Sequence, residues 1–251
     1  MTLSPVSAVP PHPVLPAYYA SREERSAFVR SLFNRVASEY DGVNAIFSLG
    51  SGRWYRRQAL RRAGLRSGMR VLDVATGTGL VAREARHITG AAGAVVGLDL
   101  SESMLAETRR NLGLPCVQAR AEALPLGEAS VDFISMGYAL RHVPDLRLAF
   151  AGFHRVLRPD GTLLLLEISR PSGRVAAALA RLYFRDLIPA LCRRGSRQTA
   201  QELLGYYWDT IDACVPPGAI LDALRDAGFS AVSCSTSLGV FRAYTGRKMP
   251  A

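Results

Sequence analysis

The chain has 251 residues, 49% hydrophobic and 21% charged, which suits one large domain burying its own core and argues against a disordered or fibrous protein. Its net charge is +10, carried by arginine because Lys248 is the lone lysine. The four cysteines (Cys116, Cys192, Cys214, Cys234) lie far apart with no C-x-x-C, which argues against a zinc ribbon or disulfide scaffold and fits a reducing cytosol. No apolar run is long enough to span a membrane.

Residues 1–20 are proline-rich, lack the basic start of a signal peptide, and read as a mobile, partly polyproline-like tail. From Ser21 to Leu65 the pattern is helical. Ser21 with Glu24 fits a capping box, and Phe28, Leu32, Phe33, Val36 and Tyr40 recur at helix spacing until Asp41-Gly42 interrupts them. A basic segment follows, with Arg53, Arg56, Arg57, Arg61 and Arg62 set around Trp54, Tyr55 and Leu60. It suits either an anionic membrane surface or a solvated helix face.

From Gly68 the rhythm changes. Short apolar runs at 70–75, 94–100, 116–119, 131–136 and 162–168 alternate with helical stretches at 81–88, 104–111 and 146–157. That alternation predicts an α/β fold with a doubly wound parallel sheet. Pro159-Asp160-Gly161 reads as a turn before the last of these strands. Residues 171–215 look helical again, 220–227 form an amphipathic helix closed by Gly228, and strands at 231–235 and 240–245 around Gly239 predict an antiparallel C-terminal hairpin. The expected organisation is a single domain over 21–251. It comprises an N-terminal helical cap (21–66), a cofactor-binding core (68–170), acceptor-side helices (171–215), and a C-terminal helix and hairpin (216–251).

The sharpest signal is Val71-Leu72-Asp73-Val74-Ala75-Thr76-Gly77-Thr78-Gly79, a strand running into a tight glycine turn that opens a helix. Such a turn brings backbone N–H groups close to a ligand. Asp99, twenty positions after Gly79, ends the next strand, where a carboxylate accepts hydrogen bonds from both hydroxyls of a ribose. Gly77-x-Gly79-x-x-Ala82 also matches a dinucleotide fingerprint. Asp73 inside the strand and the long helical prelude favour a cationic methyl donor, S-adenosylmethionine, over a pyrophosphate. Tyr244-x-x-x-Lys248 imitates the proton-transfer pair of short-chain dehydrogenases but sits in an expected strand, and reads as coincidence.

Several blocks carry a resemblance. Upstream stand Phe33, Val36, Ala37, Tyr40, Asp41, Asn44, Ser48, Gly50 and Arg53. Downstream come Asp99-Leu100-Ser101 with Met104-Leu105, Ala121 to Pro125, Leu140-Arg141-His142-Val143 with Asp145, Arg155 to Gly161 with Glu167, and Tyr206-Tyr207 with Asp209-Thr210-Ile211. Together they resemble the ubiquinone/menaquinone biosynthesis C-methyltransferases, from about residue 28 to 248. The resemblance implies a class I, Rossmann-like methyltransferase fold, S-adenosylmethionine as donor, and methylation of a ring carbon of a polyprenylated quinol precursor. Cofactor contacts then fall on Thr78, Asp99, Arg120, Ala121 and Gly137. Beside them stand Asp73, Ala75, Gly77 and Gly79 of the loop, and Leu100 and Met104 of the following block. Tyr40 and Asn44 close over the cofactor, Asn44 toward an acceptor pocket walled by Tyr138, Tyr206 and Tyr207. The chain departs from the family pattern at His142 (asparagine there), Asp160 (glycine), Trp54-Tyr55 and Asp209-Thr210 (Glu-Ser).

An aromatic carbon becomes nucleophilic only when a neighbouring phenol gives up its proton, a task best served by a group with a pKa near 7. His142 is the candidate base, directly or through water, with Arg141 steadying the phenolate; the alternative for His142 is a structural hydrogen bond. His12, His87 and His154 are expected at the surface. The expected partner is a lipophilic or aromatic small molecule. Peripheral contact with an anionic inner-membrane face, a cytoplasmic location and a homodimer accompany that reading. Nucleic acid is not expected, because the arginines are diffuse and form no recognised module. Competing readings keep the donor and change the acceptor to a secondary-metabolite phenol, a polyketide or a phospholipid amine, or make the chain a non-catalytic scaffold. The intact Asp73, Gly77, Gly79 and Asp99 oppose the scaffold.

Overall fold

A computed structural model describes residues 8–48, 50–171, 173–188 and 198–250. Five parallel strands form its centre: β1 (Arg70–Val74), β2 (Ala94–Asp99), β3 (Cys116–Gln118), β4 (Val131–Gly137) and β5 (Leu157–Ile168). The C-terminal hairpin of β6 (Ser230–Ser237) and β7 (Phe241–Arg247) adds to the β5 edge, with β7 antiparallel to β5. The order is β3-β2-β1-β4-β5-β7-β6.

The central strands are apolar on both faces because both faces are covered. Leu72, Val74, Ile134, Met136, Leu163 and Leu165 pack against Phe150 and Phe153 of α6 (Leu146–Val156) and Leu224 of α9 (Pro217–Asp226). The alternate residues Val71, Phe133, Leu164 and Leu166 pack against Leu60 of α3 (Gly52–Arg62) and Val81, Ala82 and Ala85 of α4 (Leu80–Thr89). A third cluster joins Leu32 and Val36 of α1 (Arg22–Val36) to Leu203, Leu204, Tyr206 and Tyr207 of α8 (Gln198–Asp212), and reaches Met104 of α5 (Glu102–Leu112). The acceptor-side segment also contains α7 (Arg174–Arg181), which runs on through a π-helical turn at Leu182–Leu187. Positions 172 and 189–197 of that segment lie outside the described residues.

Four expectations are corrected, the surface position of His12 among them. Residues 8–20 are docked, not free, while 1–7 lie outside the described residues. The Leu146 amide donates to the Val9 carbonyl and the Val215 amide to that of Pro11, so the segment gains backbone partners a solvated tail would lack. His12 is consequently buried, within 2.7 Å of the Arg25 guanidinium. Burial and that positive charge push its pKa down to about 4.

Asp41-Gly42 does not stop a helix. The break falls at 37–39, and Tyr40, Asp41 and Gly42 open α2 (Tyr40–Phe47). Pro159-Asp160-Gly161 is a bulge inside β5, because the pairing with β4 jumps from Val131↔Leu157 to Phe133↔Thr162. Asp160 takes a left-handed φ of 63° there, and its amide donates to the Lys248 carbonyl.

Candidate functional site

Chain connections leave β1 and β4 toward opposite sides of the sheet, which opens a crevice at their carboxyl ends. The backbone is strained on both banks. Ala75, just after β1, has φ 52°, and Tyr138, just after β4, has φ 62°, conformations that cost non-glycine residues energy. Glycine is required at Gly79, where φ is 87° and a Cβ would lie 2.5 Å from Leu112.

Asp99 pins the loop to the sheet. One carboxylate oxygen accepts from the Gly77 amide and the other from the Ser101 amide, each at 2.8 Å. Burial raises its pKa, opposed by those amides. Each oxygen keeps a lone pair for a further donor. The resulting cleft encloses about 750 Å³, including its open side, and is lined by Tyr40, Ala75, Gly77, Asp99, Leu100, Met104, Arg120, Ala121 and Gly137 of the predicted cofactor set, together with His142.

Asp73, Thr78 and Gly79 do not line this cleft. Asp73 lies beneath the loop, accepting from the Ser135 hydroxyl at 2.6 Å and the Thr76 hydroxyl at 2.7 Å. Its carboxylate therefore shapes the turn from beneath. Burial pushes its pKa up to about 6, with the Asp99 charge adding to the rise and the two hydroxyls opposing it. The Thr78 hydroxyl donates to Asp41 at 2.5 Å and ties the N-terminal helices to the glycine loop.

Sequence reasoning passed over Glu122, although it sits in a block already singled out. It lines the cleft, burial raises its pKa, and its Oε1 is buried without a hydrogen-bond partner. An acceptor in need of a donor, beside Leu98, Leu100 and Ala119, matches the exocyclic amine of an adenine lying in an apolar slot. With Asp99 placed for the ribose, the residues present fit S-adenosylmethionine.

A second cavity of about 1300 Å³, including its mouth, is lined by Asn44, Trp54, Tyr55, Arg56, Arg141, Ile168, Tyr207 and Phe241. Tyr40 and Tyr138 line both cavities, so the two share a wall. The Tyr207 hydroxyl donates to that of Tyr40 at 3.1 Å. Burial raises the pKa of Tyr138 and of Tyr207, which keeps both phenols neutral. Tyr206 is absent from the lining. It is fully buried behind His142, with its ring stacked on the imidazole at 5.3 Å.

Arg141 is 1% exposed, and its charge is already matched. Nη1 donates to both oxygens of Glu167, at 3.2 and 2.8 Å, and Nε donates to the Thr210 hydroxyl at 3.1 Å. Its guanidinium also lies 4.9 Å from the Tyr207 ring centre. His142 is not poised near neutrality. Burial first, then the charges of Arg141, His12 and Arg25, hold its pKa well below the ordinary histidine value. Nδ1 lies 3.2 Å from the Tyr206 hydroxyl, and Nε2 is buried without a partner. A neutral imidazole in the cleft wall accepts or donates a hydrogen bond according to tautomer, but binds a proton weakly at neutral pH.

The basic stretch is divided by the rotation of α3. Arg53 and Arg57 donate to the fully buried carboxylate of Glu84, whereas Arg56 turns into the larger cavity. The Tyr244 and Lys248 pair lines neither cavity. Tyr244 packs in the core, and Lys248 Nζ donates to the Leu157 carbonyl at 2.8 Å.

Solved structures share this architecture. An S-adenosylmethionine-dependent methyltransferase from Thermotoga maritima superposes with a TM-score of 0.63 over 87% of this chain and 99% of its own, at 19% identity. Phosphoethanolamine N-methyltransferase 2 of Haemonchus contortus, solved with phosphomonomethylethanolamine and S-adenosylhomocysteine, also gives 0.63, over 92% of this chain and 61% of its own, at 15% identity. Among curated proteins, the ubiquinone/menaquinone biosynthesis C-methyltransferase UbiE of Shewanella piezotolerans is 37% identical over 67% of this chain and 70% of its own length. That of Shewanella sediminis is 34% identical over 84% and 86%. The model of the ubiE/COQ5 methyltransferase family matches residues 19–248. The chain belongs to the ubiE/COQ5 methyltransferase family and is an S-adenosylmethionine-dependent methyltransferase.

Proposed function

We propose that this chain methylates a ring carbon of a hydroxylated aromatic acceptor, the quinol of a prenylated quinone precursor. The observation that carries the reading is the shared wall. A donor cleft and a larger, mainly apolar chamber meet at Tyr40 and Tyr138, as transfer between a nucleoside and a lipophilic ring requires. The names of the relatives point to the same acceptor class.

Bound S-adenosylmethionine supplies an already activated methyl on a sulfonium, so the protein's main task is alignment. Asp99 and Glu122 hold the nucleoside, and the loop running from Ala75 fixes its depth. The aromatic chamber removes water from the acceptor and orients its ring. His142 receives or gives a hydrogen bond at the boundary as a neutral group, and Arg141 serves as a fixed positive charge behind Tyr207. Trp54 and Leu238, 65% and 89% exposed, lie at the chamber lining with Arg62, a rim suited to an anionic membrane from which a tailed acceptor is drawn.

The test is a transfer assay with methyl-labelled donor on a panel of prenylated quinols, simple phenols, polyketide phenols and phospholipid amines. Label on a quinol ring carbon is expected. Label confined to an oxygen or an amine, or no transfer to any quinol, would refute the proposed acceptor.

A further inference from the structure

The larger cavity contains a buried cation without a counter-ion. Arg56 is 5% exposed. Its Nη2 donates to the neutral amide oxygen of Asn44 at 3.3 Å, and its Nε is buried without a partner. The guanidinium lies 5.5 Å from the centre of the Tyr138 ring, which supplies a π-face but no negative charge. Among the described residues no carboxylate lies within ion-pair distance of it.

Its neighbours show how unusual this is. Arg53 and Arg57 on the same helix share Glu84, and Arg141, the other buried arginine lining the cavity, is matched by Glu167. Burying an unmatched guanidinium is costly, and a site that keeps one gains by offering it to an anion. The helix is also carved to admit it. A Cβ on Gly52 would lie 2.7 Å from Arg56 Nη1 and 3.0 Å from the Ser48 hydroxyl, so glycine there leaves room for the planar head.

We propose that Arg56, steadied by Asn44 and Tyr138, is an oxyanion subsite of the larger cavity that takes the ionised oxygen of an aromatic acceptor. The inference rests on the larger cavity being the acceptor chamber. Asn44 takes one N–H of the guanidinium and leaves others unengaged, and charge-assisted bonds from such donors to an oxyanion are strong. Preference for the anion over the neutral phenol lowers the pKa of the bound hydroxyl, so its proton passes to solvent. The carbon of the ionised ring attacks the sulfonium methyl, and the S–CH3 bond breaks to release S-adenosylhomocysteine. The ring carbon then gives its own proton to solvent to restore the aromatic ring. Arg56 thereby sets both which acceptors are held and in what state.

The probe is p-nitrophenol, whose anion alone absorbs in the visible, titrated against pH on protein saturated with S-adenosylhomocysteine. The wild type is expected to lower the pKa of the bound probe by at least about one unit, a tenfold preference for the anion. Arg56→Met is expected to abolish that preference while keeping its calorimetric affinity for S-adenosylhomocysteine, and Arg56→Lys to restore part of it. Competing benzoate separates the two sources of an aryl oxyanion. Displacement by benzoate weaker than that by the phenolate assigns a phenolate site, and the reverse assigns a carboxylate site; either supports the subsite if it depends on Arg56. Wild-type protein that binds S-adenosylhomocysteine but shows no anion preference overturns the proposal alone, however the variants fold. Wild-type protein that does not bind S-adenosylhomocysteine overturns the donor-cleft reading, and the subsite with it.

Discussion

Asp73→Asn tests whether the carboxylate under the glycine loop is held against its own ionisation. An ordinary aspartate titrates near 3.8, and burial pushes this one to about 6 in the folded protein. Below both values the group is protonated in either state and contributes nothing to the pH dependence. Above both it is ionised in either state, and the folded state bears the cost of the buried charge, about 3 kcal/mol from the gap between the two values. The wild type therefore loses stability from this group as pH rises from about 4 to 6. Asparagine fills nearly the same volume and never ionises. Whatever constant penalty it incurs by meeting the Ser135 and Thr76 hydroxyls with an amide, that penalty is the same at every pH. The stability of Asp73→Asn relative to wild type should thus improve by about 2 kcal/mol between pH 4.5 and pH 7.5. Urea denaturation of both proteins at the two pH values measures it. A difference between the proteins that does not change with pH would mean that Asp73 ionises normally and that the loop is organised otherwise.

Asp99→Ala removes the carboxylate proposed to hold a ribose and releases the Gly77 and Ser101 amides, so S-adenosylhomocysteine should bind at least about tenfold more weakly by calorimetry. Unchanged affinity would take Asp99 out of the site. Glu167→Ala strands Arg141 in the core without its partner and should lower unfolding stability by about 3–5 kcal/mol. A loss under about 1 kcal/mol would mean that the pair is solvated. Because the pKa of His142 is held well below the ordinary value, methyl transfer should show no His142 inflection between about pH 6 and 8, and His142→Asn should leave the shape of the profile in that range unaltered. An inflection near 6.5 that disappears in the variant would contradict the neutral imidazole.

The glycine loop and the cleft beside it were largely legible because their signals are local. A strand, a glycine turn and a following helix are contiguous, and Asp99 lies at the end of the very next strand. The capping of α1 was equally local, with the Glu24 amide donating to the Ser21 hydroxyl. The legible part thins where partners come from afar. Asp73 looked like a ligand because its neighbour along the chain is the loop, yet Ser135, which occupies one of its oxygens, arrives from the adjacent strand. The tail looked mobile because proline gives no helical or strand period, and its partners, Asp145, Leu146, Val215, Arg25 and Asp209 among them, come from elsewhere along the chain.

Within α3 the contrast is sharpest. Arg53, Arg56 and Arg57 are chemically identical and nearly adjacent, but two meet Glu84 while the third enters a cavity formed with Tyr138 and Asn44. Amino-acid order alone determined the alternation of strands and helices, the glycine turn and its acidic partner, since hydrophobic period and turn chemistry act over a few residues. Tertiary structure decided which charges are matched, which histidines stay neutral and which tyrosines line a cavity. A polar group's role depends on the distant groups that desolvate or pair with it, and those become neighbours only when the sheet is assembled.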